Sequence, residues 1–113
     1  MDLVFDGCSL KSVDFSNKDG SKVIFMTYMF RNCKLLEKVV FTNFKTQKLE
    51  DIGTMFLNCE SIISIDLSSF KNINLRSTSF FYQGCISLEY VNLGNLQTSK
   101  VTNMESMFSN CKS

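Results

Sequence analysis

The residues of this chain best equipped for chemistry are five thiols: Cys8, Cys33, Cys59, Cys85 and Cys111. They follow one another at 25, 26, 26 and 26 residues, each three residues after an aromatic: Phe5, Phe30, Phe56, Tyr82 or Phe108. A zinc site needs four ligands converging on one point, usually with close cysteine pairs, and here there are no such pairs and no His. The lack of His also excludes histidine acid–base chemistry and a Ser-His-Asp triad. Thiol catalysis needs a neighbourhood that favours the thiolate, whereas these cysteines follow segments that read as helix C-termini, where the dipole opposes an anion. Of the carboxylates, Asp14 and Asp66 share one strand position two coils apart. At the spacing of neighbouring strands they stand about 10 Å from one another, wide for paired-carboxylate glycoside chemistry. Catalytic, metal and cofactor sites are therefore not expected, nor is enzyme activity.

The cysteines serve instead as phase marks. Self-similarity at a fixed period in this range is the signature of a stacked repeat, and repeats of this kind offer extended binding surfaces more often than pockets. Thiols at one phase point into one interior column. Parallel side chains on neighbouring coils hold their β-carbons about 4.8 Å apart, beyond the usual ~3.5–4.5 Å of a disulfide, so free thiols are expected. An odd count of five leaves at least one unpaired in any intrachain scheme.

Around each cysteine the pattern reads as one structural unit. Val101, Met104, Met107, Phe108 and Cys111 trace a stripe of helical period. Thr102 with Glu105 reads as a capping box, with Asp51 and Ser77 as capping residues in their own repeats. Gly7, Asn32, Asn58, Gly84 and Asn110 precede the cysteines and are the residue types that best tolerate a left-handed helix end. Met26, Met29, Met55, Met104 and Met107, with Phe30, Phe56 and Phe108, lie on the apolar stripe and read as core rather than as a soft-metal or base-stacking surface. After each cysteine the period shortens to the alternation of a half-buried strand: Leu10-x-x-Val13-x-Phe15, Leu36-x-x-Val39-x-Phe41, Ile62-x-x-Ile65-x-Leu67 and Leu88-x-x-Val91-x-Leu93. This L-x-x-L-x-L core, within the period, is that of a leucine-rich repeat. The Asn or Cys expected three residues later is absent, with Lys18, Phe44, Phe70 and Leu96 there instead. Asn17, Asn43 and Asn95, with Ser69, stand one residue earlier and are expected to make local turn bonds rather than an Asn ladder. The expected fold is an α/β leucine-rich-repeat solenoid: about four repeats of 25–26 residues, a parallel strand face, and short helices on the other face.

The stretch Thr98-Ser99-Lys100-Val101-Thr102-Asn103-Met104-x-x-Met107-Phe108-x-x-Cys111, with Leu88-x-x-Val91-x-Leu93 before it, resembles the BspA-like leucine-rich repeats of bacterial and protist surface proteins. The resemblance runs nearly the length of the chain, with Lys18-Asp19-Gly20 in place of an apolar residue and Thr78 in place of a Met as departures. It implies a surface-exposed array used in adhesion or protein binding, located at the cell surface. It supplies no catalytic residues.

On the strand face the outward positions change from coil to coil. Ser12, Lys38, Ser64 and Tyr90 precede the buried central residue; Asp14, Val40, Asp66 and Asn92 follow it; Lys11, Glu37, Ile63 and Glu89 form the column before. Tyr90, Ile63 and Val40 are apolar or aromatic on a face that should be wet, and with Lys38, Asp66 and Asn92 they are candidate contacts for a protein or glycan. The alternative is a solvated sheet face with residues chosen for strand propensity. A net charge of +1 with mixed signs points to neither nucleic acid nor an acidic membrane, and there is no apolar run of spanning length. Met1 and Ser113 both fall inside a repeat, so residues 1–113 read as a single array uncapped at both ends and part of a longer chain. The alternative function is structural: end-to-end stacking with other repeats or subunits through Val4, Phe5 or Phe108.

Overall fold

The strands are short because each coil gives only three residues to the sheet before turning. In the computed structural model, which describes residues 5–71 and 74–111, they are β1 (Ser12–Asp14), β2 (Lys38–Val40), β3 (Ser64–Asp66) and β4 (Tyr90–Asn92). β1 pairs in parallel with β2, Val13 opposite Val39, and β3 with β4, Ile65 opposite Val91. Isolated parallel bridges join Asp19 to Lys45, Phe25 to Asp51, Asp51 to Ser77 and Ser77 to Asn103. Every one of these pairs is 26 residues apart, so the sequence period is the register in which one coil lies on the next.

The α/β leucine-rich-repeat solenoid expected above is overturned: among the described residues there is no helix, only strand and turn. An α-helix sends each amide four residues back. Here alternate amides serve two different partners. Met55, Leu57 and Cys59 donate three residues back, to Ile52, Thr54 and Phe56, closing successive turns. Thr54, Phe56 and Asn58, interleaved with them, donate to Ser79, Phe81 and Gln83 of the next coil. The same division recurs in Phe30 and Asn32 bonded to Met55 and Leu57, and in Phe80, Tyr82 and Gly84 bonded to Glu105, Met107 and Ser109. The chain alternates in this way because it turns left-handed twice in this segment of each coil. Tyr28, Thr54, Phe80 and Ser106 have φ of 50–59°, and Asn32, Asn58, Gly84 and Asn110, four residues on, have φ of 59–76°. The second set matches the residue types that tolerate this region; the first does not, and each of its members costs about 1–2 kcal/mol. Hydrogen bonds to the neighbouring coil offset that cost, so the turns depend on stacking. An apolar stripe at helical spacing fits a train of turns as well as it fits a helix, which is why the sequence misleads.

The expected capping box is replaced as well. Asn103 Oδ1 accepts from the Glu105 amide at 3.0 Å, and Asp51 Oδ1 from the Gly53 amide at 2.6 Å, each across two residues. Side-chain Asn ladders do form: Asn43 Nδ2 donates to Asn17 Oδ1, and Asn58 Nδ2 to Asn32 Oδ1, both at 3.1 Å.

The interior is aromatic. Phe5, Phe30, Phe56, Tyr82 and Phe108 stack one above another at centroid distances of 5.3, 5.4, 6.4 and 5.2 Å, near parallel throughout. Met26, Met29, Met55 and Met107 are buried with them, whereas Met104 and Phe108 are more than half exposed, against expectation. The fold measures 29 × 28 × 23 Å, nearly isometric rather than a drawn-out horseshoe. The expectations for Met1, Val4 and Ser113 lie outside the described residues.

Candidate functional site

Four of the six strand-side candidates line two depressions. Lys38, Val40 and Asp66 line a cleft of about 420 Å³ between β2 and β3, with Thr42, Ser64 and Ser68. Ile63 lines a broad groove of about 550 Å³, with Ile86, Ser61, Ser87, Glu37 and Glu89. Tyr90 and Asn92 lie on β4, opposite Ser64 and Asp66. Lys38, Ile63, Asp66 and Tyr90 are exposed; Val40 and Asn92 are half-buried.

The cleft exists because the coils part there. Between β1 and β2 the ladder continues through Phe15 N–H to Val40 O, and between β3 and β4 through Leu67 N–H to Asn92 O, both at 2.8 Å. Among the described residues no backbone hydrogen bond joins β2 to β3, and the two pairs are separate sheets. Side-chain hydroxyls bridge the gap at its margins. Ser69 Oγ accepts from the Asn43 amide at 3.0 Å, and Ser61 Oγ donates to Lys34 O at 2.6 Å. On the opposite, turn side the same two coils are bonded through the amides of Met26, Phe30 and Asn32.

Two of the polar candidates are occupied by the fold itself. Asp66 Oδ1 accepts from the Ser68 amide at 2.8 Å, and Asn92 Oδ1 from the Gly94 amide at 2.9 Å, closing the turn after each strand. Asp14 does the same for Ser16 at 2.7 Å. The Ser68 hydroxyl and amide hold the Asp66 carboxyl below the usual carboxylate range, against a smaller opposing effect of burial. The outward columns therefore contain turn-closing residues as well as surface ones, a role that the Asx-turn spacing of Asp66-x-Ser68 could have revealed.

The apolar candidates have no such duty. Ile63 is 51% and Tyr90 61% exposed. Ile86, which sequence reasoning missed, is also exposed and completes the groove. Its column offered a signal: in the coils before it stand Lys34 and Glu60, paired at 2.9 Å, where Ile86 is apolar.

The thiols form a ladder away from this face. Cys59, Cys85 and Cys111 donate to the carbonyls of Phe30, Phe56 and Tyr82, at 3.0, 3.1 and 3.1 Å. Burial pushes the Cys85 thiol up to about 12 and Cys59 further still, so neither is poised as a nucleophile. Among the described residues the cysteines are unpaired and no cluster of potential metal ligands is found.

A stack of 26-residue coils with a parallel register, buried aromatics and a thiol ladder defines a repeat protein built from turns. The family described as Mycoplasma protein of unknown function, DUF285, matches residues 1–113, and the chain belongs to it. No curated protein and no solved structure matches the chain.

Proposed function

We propose that this chain is a non-catalytic protein-binding repeat whose strand side holds an apolar segment of a partner. The observation that carries this reading is the pair Ile63 and Ile86, exposed together in a groove of about 550 Å³, with the exposed Tyr90 next in sequence to Glu89 of its lining. Large apolar side chains cost free energy in water at about 25 cal/mol per Å², and covering them favours association. Glu37 and Glu89 border the groove, so a partner segment that places Lys or Arg beside its apolar residues complements it best. The resemblance to BspA-like repeats supports an adhesive role at the cell surface.

A displayed library of random peptides, selected against the folded chain, provides the test. Selected peptides should be rich in apolar and basic residues and should lose binding to an Ile63→Ser, Tyr90→Ala variant by about tenfold or more. Peptides that bind this variant as tightly as the parent chain would refute the assignment.

A second reading rests on a different observation. Met104 and Phe108 are 58% and 52% exposed on the last described coil, beside an apolar cavity of about 90 Å³ around Thr78. That surface suits end-to-end association in a structural assembly. Sedimentation that stays monomeric over a wide concentration range would rule this second reading out.

A further inference from the structure

We propose that Cys8 and Cys33 are an oxidisable pair that closes to a disulfide in the folded chain on exposure to a small-molecule disulfide. Their Sγ atoms lie 2.8 Å apart, and Cys33 Sγ is also 2.7 Å from the Phe5 carbonyl. Cys59, Cys85 and Cys111 make carbonyl contacts of 3.0–3.1 Å, and among the described residues no thiol–thiol hydrogen bond joins them. Bond formation needs the sulfurs to close from 2.8 Å to about 2.05 Å.

The cause lies in the sequence. Cysteines 8 and 33 are 25 residues apart, whereas the strands that follow them, at Ser12 and Lys38, are 26 apart. The link from cysteine to strand is therefore one residue shorter in the first coil than in the others. In the other three coils it opens with a turn, Leu36, Ile62 and Leu88 donating to the carbonyls of Cys33, Cys59 and Cys85. No such bond is made to the Cys8 carbonyl among the described residues. One residue removes as much as ~3.3–3.6 Å of reach. Leu10 is correspondingly 47% exposed, while its equivalents Leu36 and Ile62 are fully buried. The coil that lost a residue thus breaks the column's even spacing and sets Cys8 against its neighbour.

Access favours the same pair. Cys8 is only partly buried, whereas Cys33 is fully enclosed. The Cys8 thiolate attacks the small disulfide, forming a mixed disulfide and releasing one small thiol. The Cys33 thiolate then attacks Cys8 Sγ and releases the second. Two protein thiols lose two protons and two electrons in total, and one small disulfide becomes two thiols. Burial and the hydrogen bond with Cys8 push the Cys33 thiol up, so the second step is the slower one.

The test is incubation of the folded 113-residue chain with oxidised glutathione, followed by intact mass and peptide mapping without reduction. The expected product is lighter by about 2 Da, joined between Cys8 and Cys33, with Cys59 and Cys85 unmodified. A lasting glutathione adduct on Cys8, a link elsewhere or no reaction would overturn the proposal. In a Cys33→Ser variant Cys8 should keep the adduct, since no resolving thiol remains; any loss of about 2 Da there would contradict the pairing. Inserting one Lys between Cys8 and Ser9 restores the even spacing and should slow closure about tenfold or more, with circular dichroism confirming the fold; an unchanged rate in the folded variant would contradict the stated cause.

Discussion

The turn side and the strand side of this protein are built from the same coils and held together differently. On the turn side alternate amides cross to the next coil at every coil boundary, from Phe5 bonded to Met29 through to Gly84 bonded to Ser109. On the strand side the ladder closes between β1 and β2 and between β3 and β4, but not between β2 and β3. The aromatic stack and the thiol ladder lie inside, while the exposed apolar residues Ile63, Ile86 and Tyr90 lie outward on the strand side. The contrast teaches a division of labour: continuous bonding and burial fix the stack from one side, leaving the other free to vary in sequence and to open. Local stability follows bonding and burial, and binding surfaces come from the less stable end of that range.

The largest effect should come from the stack. Phe56 is fully buried between Phe30 and Tyr82, so Phe56→Ala should lower the unfolding free energy by about 3–5 kcal/mol, measured by denaturant titration. Tyr90→Ala, on the exposed face, should change it by under about 0.5 kcal/mol. Comparable losses from both would erase the distinction between the two sides.

The thiol ladder sharpens the contrast through pH. Cys85 is raised by burial from 9.0 to about 12, and Cys59 is raised further. A folded pKa above the unfolded one gives stability that is complete below pH 9 and lost as pH rises toward 12. Each such thiol should therefore cost about 1.4 kcal/mol per pH unit within that window. Denaturation midpoints should fall steeply above pH 9, and Cys85→Ala should flatten the fall. An identical slope in parent and variant would show that this thiol ionises freely in the fold.

A smaller effect should follow from Tyr82, the tyrosine in an otherwise phenylalanine stack. Its hydroxyl is buried without a hydrogen-bond partner, so Tyr82→Phe should stabilise the chain by about 1 kcal/mol, read as a higher Tm. A loss of stability would mean that the hydroxyl is satisfied in solution.

The period was legible because stacking in register demands equivalent residues at equivalent places. Cys59, Phe56 and Ile65 announce the core directly, since each is buried in every coil that has neighbours on both sides. The helices were misread because Ile52, Met55, Phe56 and Cys59 have helical spacing, while the left-handed Thr54 between them bears no mark in its residue type. Only the neighbouring coil, through Ser79 and Phe81, makes that conformation worthwhile, and such long-range partners are invisible to a local pattern. At the candidate site, the apolar character of Ile63 and Tyr90 could be read directly. The break between β2 and β3 could not, because it is a missing interaction rather than a residue.

Native-state amide exchange at Phe15, Phe41 and Leu67 tests the division between the two sides most directly. Phe15 and Leu67 occupy the same place after β1 and β3 and donate to Val40 and Asn92; Phe41, after β2, makes no backbone bond to β3. The Phe41 amide should exchange at least about tenfold faster than the other two, while the turn-side amides of Phe30, Phe56 and Tyr82 remain the slowest of all. Equal protection at all three positions would contradict an open seam between β2 and β3, and with it the division between the two sides.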